Sequence, residues 1–200
     1  MVKLAHYYHS KMKTFFLFIM LAFTVTAHAA APADTVKLLV EGTNAYYQKV
    51  VKADSIPEGL IFNRALEFLA AKNYQQNFGD EQEGKLIFNT TQDLNVNPVY
   101  VGDDSDEVDP YTVQFAITID TKNKRYRYTI NNIVIYFPTQ SGNKRQTMYD
   151  MYLKATNTQS KHIARDAKKL ISSFESYITS LTNELYKAIK PQSMLYDKSF

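Results

Sequence analysis

No cysteine occurs anywhere in the 200 residues. That excludes disulfides, thiol nucleophiles, thiolate-ligated zinc and iron–sulfur clusters, and it removes the residue on which a bacterial lipid anchor is built. Histidine is nearly as scarce. Of the four, His6, His9 and His28 crowd the N-terminus, leaving His162 alone in the rest of the chain. The patterns G-x-S-x-G, H-E-x-x-H, G-x-x-x-x-G-K-[ST] and G-x-G-x-x-G are missing too. With them go the frames for serine hydrolysis, zinc peptidase chemistry and nucleotide or dinucleotide binding. A serine triad would have to use His162 with Ser160 or Ser172 on the same helix, a poor geometry. No cofactor is expected from this inventory.

Long apolar runs are also absent. The most apolar stretch, Phe15 to Val25, has eleven residues, about half of the roughly 20 a bilayer-spanning helix needs. Its context gives it another meaning. Lys11 and Lys13 precede it and Ala27-His28-Ala29 follows, which is the n-region, h-region and small-residue site of a secretory signal peptide. Residues 1–29 are therefore expected to be a leader cleaved after Ala29, with Ala31 as the alternative. Met12 is the conventional start, so residues 1–11 read as an upstream extension. The expected product, residues 30–200, is exported (periplasmic or secreted), neither membrane-spanning nor lipid-anchored, and large enough for one domain with a core of its own.

Excess charge is the next absence. The formal charge of +3 equals the leader's Lys3, Lys11 and Lys13, and no acid precedes Asp34. Past the leader the chain is neutral, whereas a general polyanion binder carries a basic excess. The charges are nonetheless segregated. Residues 80–109 hold nine acids against Lys85, and residues 110–169 hold eleven bases against Asp120, Asp150 and Asp166.

What is present is alternation. "VKLLVEG" and "AYYQKVVKA" read as strands with a break at Gly42-Thr43-Asn44. "DSIPEGLIFNRALEFLAAKNY" reads as a helix, with Ser55 as cap, Pro57 early and Glu58 completing a capping box. Its stripe of Ile61, Phe62, Ala65, Leu66 and Leu69 is core. Two strand-like runs flank a turn near Glu83-Gly84. "YTVQFAITID" sets Val113, Phe115, Ile117 and Ile119 against Thr112, Gln114, Thr118 and Asp120. Residues 138–143 lead into a linker with a short helix at Tyr149 to Lys154. Over 160–189 the apolar residues Ile163, Ala167, Leu170, Ile171, Phe174, Ile178, Leu181, Leu185 and Ile189 recur at helical spacing up to Pro191. At 1.5 Å per residue that helix is about 45 Å long, enough to cross a sheet.

Between these lies "KNKRYRYTINN", rich in the residue types that bind nucleic acid. Period two separates them: Arg125, Arg127 and Thr129 on one face, Tyr126, Tyr128 and Ile130 on the other. A stacking groove needs both kinds on one face, so no nucleic-acid partner is expected. Apolar parity then flips to Ile133, Ile135 and Phe137, which predicts a bulge or bend near Asn131-Asn132.

The order of strand, capped helix, hairpin strands and long terminal helix matches half of a TATA-binding-protein-like fold. "YYQKVVKADSIPEGLIFNRALEFLA", "EGKLIFNTT" and "VQFAITIDTKNKRYRYTINNIVI" resemble the exported domain-of-unknown-function family with a TBP-like fold that is abundant in Bacteroidetes. The resemblance covers about residues 45–137, and Lys122, Arg125, Tyr126, Arg127 and Tyr128 are its most specific part. Phe68 stands where members carry Trp. The resemblance implies an α+β class: a curved antiparallel sheet, a capped first helix and a long C-terminal helix packed on one face. It transfers no catalytic residue, and likeness of shape to a DNA-binding protein does not imply DNA binding.

Two groups remain as site candidates. Arg125 and Arg127 point the same way about 6.5–7 Å apart along a strand and suit an anion or a partner's carboxylate. The simpler expectation pairs them with Asp120, Asp80 or Glu83 across the sheet, or lays them against the long helix. In "DDSDEVD", Asp103, Asp104, Asp106 and Asp109 offer oxygens for calcium. The glycine and distal glutamate of an EF-hand loop are lacking, so a solvated acidic loop is expected. The function expected is an exported, non-catalytic binding or envelope-interaction module with a protein or glycan partner. The alternative is a carboxylate-based hydrolase, which would show a tight cleft with two close, buried carboxyls of displaced pKa.

Overall fold

In the computed structural model, residues 36–95, 110–139 and 142–190 are described. Strands β1 (Leu39–Glu41) and β2 (Asn44–Lys52) precede helix α1 (Glu58–Ala71). Strands β3 (Gln75–Asp80), β4 (Lys85–Asn95), β5 (Pro110–Thr121), β6 (Arg125–Thr139) and β7 (Gly142–Thr147) follow, then helices α2 (Met148–Asn157) and α3 (Lys161–Ile189). The strands form one antiparallel sheet in the order β1-β2-β6-β5-β4-β3, with β7 also paired to β6. The fold is α+β and TBP-like.

Local chemistry explains the joints. The β5–β6 hairpin turns through Asn123 and Lys124, both at positive φ (52° and 57°). That is the two-residue turn whose twist matches the strands it joins, closed by the mutual backbone hydrogen bonds of Lys122 and Arg125. At the end of α1, Asn73 takes a left-handed conformation (φ 58°). Its N–H donates to Ala70 O and that of Tyr74 to Leu69 O, the paired bonds of a Schellman stop.

The expected capping box at Ser55 and Glu58 does not form. α1 begins at Glu58 with Pro57 at the N-cap and no side-chain cap. A box requires the N-cap N–H, and proline has none. Glu58 instead accepts from the N–H of Asn123 at 3.3 Å, tying α1 to the β5–β6 turn. Among the described residues a capping box does form between Thr147 and Asp150, at the start of α2.

The expected linker before α2 is also corrected. β6 continues to Thr139, and β7 returns along it from Thr139↔Gly142 to Val134↔Thr147. "GNKRQT" has no apolar alternation because β7 is an edge strand whose place is set by pairing, not burial. The helix after it is longer than Tyr149 to Lys154.

The core lies between one sheet face and the helices. Leu86, Phe88, Val113, Phe115, Ile117, Ile119, Tyr126, Tyr128 and Ile130 are all buried there, so the tyrosine face of β6 and the apolar face of β5 coincide. Helix α3 crosses this face. Phe174 sits at its centre with ring centroids 5.7 Å from Tyr47 and 5.4 Å from Phe115. The stripe is buried from Ala167 to Ile189, whereas Ile163 in the first turn is exposed. Helices α1 and α3 are joined by Lys72 and Glu184 at 2.7 Å and by Arg64 Nη1 donating to Ile189 O at 2.8 Å. Leu38 N–H donates to Glu175 at 3.1 Å, fastening the segment before β1 to α3. Among the described residues no helix is long and apolar enough to cross a membrane.

Candidate binding surface

The second sheet face carries no helix of the described set and is built mainly from the polar halves of the same strands, with Val50 and Phe78 exposed among them. One cross-strand row reads Asp80, Lys85, Asp120, Arg127, Val50, from β3 to β2. Its charges alternate, the arrangement that favours neighbouring strands. Arg127 donates from Nη2 (2.8 Å) and Nε (3.1 Å) to the same Asp120 oxygen. The pair is half exposed, so water screens it and its net contribution is under about 1 kcal/mol. Arg125 points to the same face one row further on, opposite Lys52, and no described carboxylate lies within ion-pair distance of it. The two guanidinium groups thus share a face but not a task. Arg127 is held by Asp120 and Arg125 is open.

The other feature of this face lies at the predicted bulge. Between Gln114 and Ala116 of β5 the pairing with β6 slips by one residue, and Asn132 takes φ 52°. Asparagine tolerates this left-handed conformation better than other side-chain-bearing residues. Opposite the bulge the other edge of β6 changes partner. The β2 ladder ends at Tyr47↔Ile130 and the β7 ladder begins at Val134↔Thr147. Asn131, Asn132 and Ile133 pair with neither. The N-terminal end of β2 pairs with β1 instead.

The result is a polar notch of about 450 Å³ lined by Glu41, Asn44, Ala45, Tyr46, Gln48, Thr129, Asn131 and Asn132. Gln48 Nε2 donates to Thr129 Oγ1 at 2.9 Å, and Tyr46 Oη donates to Glu41 Oε2 at 3.4 Å. The amides of Asn44, Asn131 and Asn132 make no side-chain hydrogen bond among the described residues. The parity flip signals this bulge in the sequence. It does not reveal that β2 stops opposite it, so Asn131 and Asn132 stand out beforehand as a bulge and not as the lining of a notch.

The other candidates are dispersed. His162 is exposed, its Nδ1 3.4 Å from Arg165 Nη2, on the basic outer face of α3. Asp103, Asp104, Asp106 and Asp109 lie outside the described residues. Among the described residues no three His, Asp or Glu side chains are placed to hold a metal. Asp150 is held below the usual carboxylate range by the backbone and hydroxyl of Thr147, and Glu184 by its hydrogen bond to Lys72. A glycosidase acid is pushed the other way.

Comparison with known proteins agrees with this architecture. Residues 47–136 match the family model for the domain of unknown function (DUF4468) with TBP-like fold, two residues inside the expected span at one end and one at the other. Among solved structures, a TBP-like protein from Parabacteroides distasonis is similar with a TM-score of 0.62 at 15% identity, covering 76% of this chain and 97% of that one. A DUF4468 family protein from Bacteroides ovatus is similar with a TM-score of 0.58 at 11% identity, covering 78% and 91%. At such identities these two structures speak for the fold alone. No curated protein matches the chain. Family match and fold coincide on the same strands: residues 47–136 match the DUF4468 family model, and the chain has the TBP-like fold which that model describes.

Proposed function

We propose that the protein is an exported, non-catalytic binding module of the cell envelope that engages its partner through the sheet face opposite the helices. The observation that carries this reading is the notch, where amides with no side-chain hydrogen bond among the described residues meet a tyrosine on the sheet face opposite the helices. A ladder built only for stability would continue through that point. Export rests on the leader pattern at residues 1–29, and N-terminal sequencing of the processed protein should find Ala30 or Pro32. An intact Met12 would remove the compartment from the proposal.

The test of the module is capture from envelope extract with the immobilised processed protein, beside a Gln48→Arg, Thr129→Arg variant. Those substitutions fill the face without touching the core. A partner identified on the native protein and lost on the variant is the expected outcome. Equal capture by both would place recognition elsewhere on the molecule.

A further inference from the structure

We infer that the notch is a saccharide site, and specifically one for a neutral sugar; this deepens the binding-module reading and rests on it. Among the described residues its lining contains no lysine or arginine, so an anionic ligand would meet Glu41 with none of them to offset it. Nor is it an apolar pocket of the kind that holds hydrophobic ligands. It offers three side-chain amides with no side-chain hydrogen bond among the described residues, each with two donors and an acceptor, one carboxylate, and Gln48 and Thr129 already oriented by their mutual hydrogen bond.

Vicinal hydroxyls, each both donor and acceptor, match amides and a carboxylate in this arrangement. The part-buried ring of Tyr46 supplies the apolar surface on which the C–H face of a pyranose rests. Tyrosine does this at small entropic cost, because only two side-chain torsions must be fixed. An extended peptide is a poorer occupant. Among the described residues, only Asn131 to Ile133 of β6 pair with no strand on this edge, between the β2 and β7 ladders, too short a run to take up another strand.

The bulge is what makes the site. It adds one residue to β6 and swings Asn132 into the left-handed region, re-aiming a side chain as bulges beside binding sites do. Replacing Asn132 by glycine keeps that backbone and removes only the amide, so it separates recognition from folding.

The experiment is a titration followed by NMR, watching the side-chain amides of Asn44, Gln48, Asn131 and Asn132 and the Tyr46 ring. The probes are tetra-N-acetylchitotetraose, cellotetraose, maltotetraose and mannotetraose, with inorganic phosphate and tetra-alanine beside them. The expected result is a saturable shift of notch resonances by at least one of the oligosaccharides. Affinity should fall at least tenfold in Asn132→Gly and in Asn44→Ala, at unchanged thermal stability. The inference is overturned if none of the four sugars moves those resonances, if phosphate or tetra-alanine moves them instead, or if binding survives both substitutions. A silent notch with partner capture still lost in the Gln48→Arg, Thr129→Arg protein would overturn the sugar and leave the module. Silence together with face-independent capture would overturn both.

Discussion

Tyr126 and Arg127 are neighbours in sequence on opposite faces of the sheet, and substituting each separates the two sides of the argument. Tyr126 is 1% exposed. A buried tyrosine removes about 150–250 Å² from water, or about 4–6 kcal/mol at about 25 cal/mol per Å². Allowing for a compact unfolded state and for the cavity left behind, Tyr126→Ala should cost about 3–5 kcal/mol. The hydroxyl is a separate matter. It is buried and has no hydrogen-bond partner among the described residues. Leaving such a group unmet costs about 1–3 kcal/mol, so Tyr126→Phe should stabilise the protein by about 1 kcal/mol, a rise of about 2–4 °C in Tm for a domain of this size. Arg127→Ala should cost under about 1 kcal/mol, because its bond to Asp120 is half exposed. Urea unfolding of the chain without residues 1–29 measures all three. A clear loss on Tyr126→Phe would mean that the hydroxyl has a partner. A cost for Arg127→Ala equal to that of Tyr126→Ala would mean that the faces are reversed.

Other outcomes follow from the turns, caps and buried phenols. A Cβ at Gly84 would sit 2.5 Å from Thr121 O at a φ of +64°, whereas one at Gly42 (φ +60°) meets nothing within 4 Å. Gly84→Ala should therefore cost about 2 kcal/mol or more and Gly42→Ala only about 1 kcal/mol, by thermal unfolding of both; equal costs would refute the steric account. Thr147→Ala removes the hydroxyl that accepts from Asp150 N–H and should cost about 1 kcal/mol, measured by the same melts; no loss would mean the box is ornamental to α2. Burial pushes the phenols of Tyr47, Tyr74 and Tyr126 well above their ordinary value. The native state then keeps protons that the unfolded chain releases above about pH 10. Stability from these groups is fully present below that pH and falls above it by about 1.4 kcal/mol per pH unit for each tyrosine. Urea midpoints that stay flat from about pH 9 to 11 would contradict this.

What the sequence discloses depends on whether a residue's own chemistry decides its place. Tyr126 and Tyr128 alternate with Arg125 and Arg127, and burial sorts them at once, since one side of a half-covered sheet must be dry. Helix α3 is legible for the same reason, its stripe from Ala167 to Ile189 being longer than any strand could use. β7 is not legible, because Lys144 to Thr147 bury little and are a strand only by virtue of β6 beside them. The cap of α1 fails on a single atom, the N–H that Pro57 lacks. A pattern of residue types at the right spacing cannot register that loss, while Thr147 and Asp150 form the same motif where the backbone permits it.

The notch shows why binding surfaces escape this kind of reading more readily than cores do. Its lining comes from β1, the start of β2 and the bulge of β6, the last more than 80 positions along the chain from the other two. No apolar periodicity links them, since none is there to be buried. What links them is a failure of pairing: β2 leaves β6 after Tyr47, β7 joins only from Val134, and the extra residue at the bulge fills the gap with amides instead of a ladder. Each of those events is local and has its own cause in turn or strand chemistry. Only their coincidence on one edge produces a concavity, and coincidence of that kind belongs to the topology. The parity flip at Asn131-Asn132 is the one trace it leaves in the sequence, and it marks the residues on which recognition is here proposed to depend.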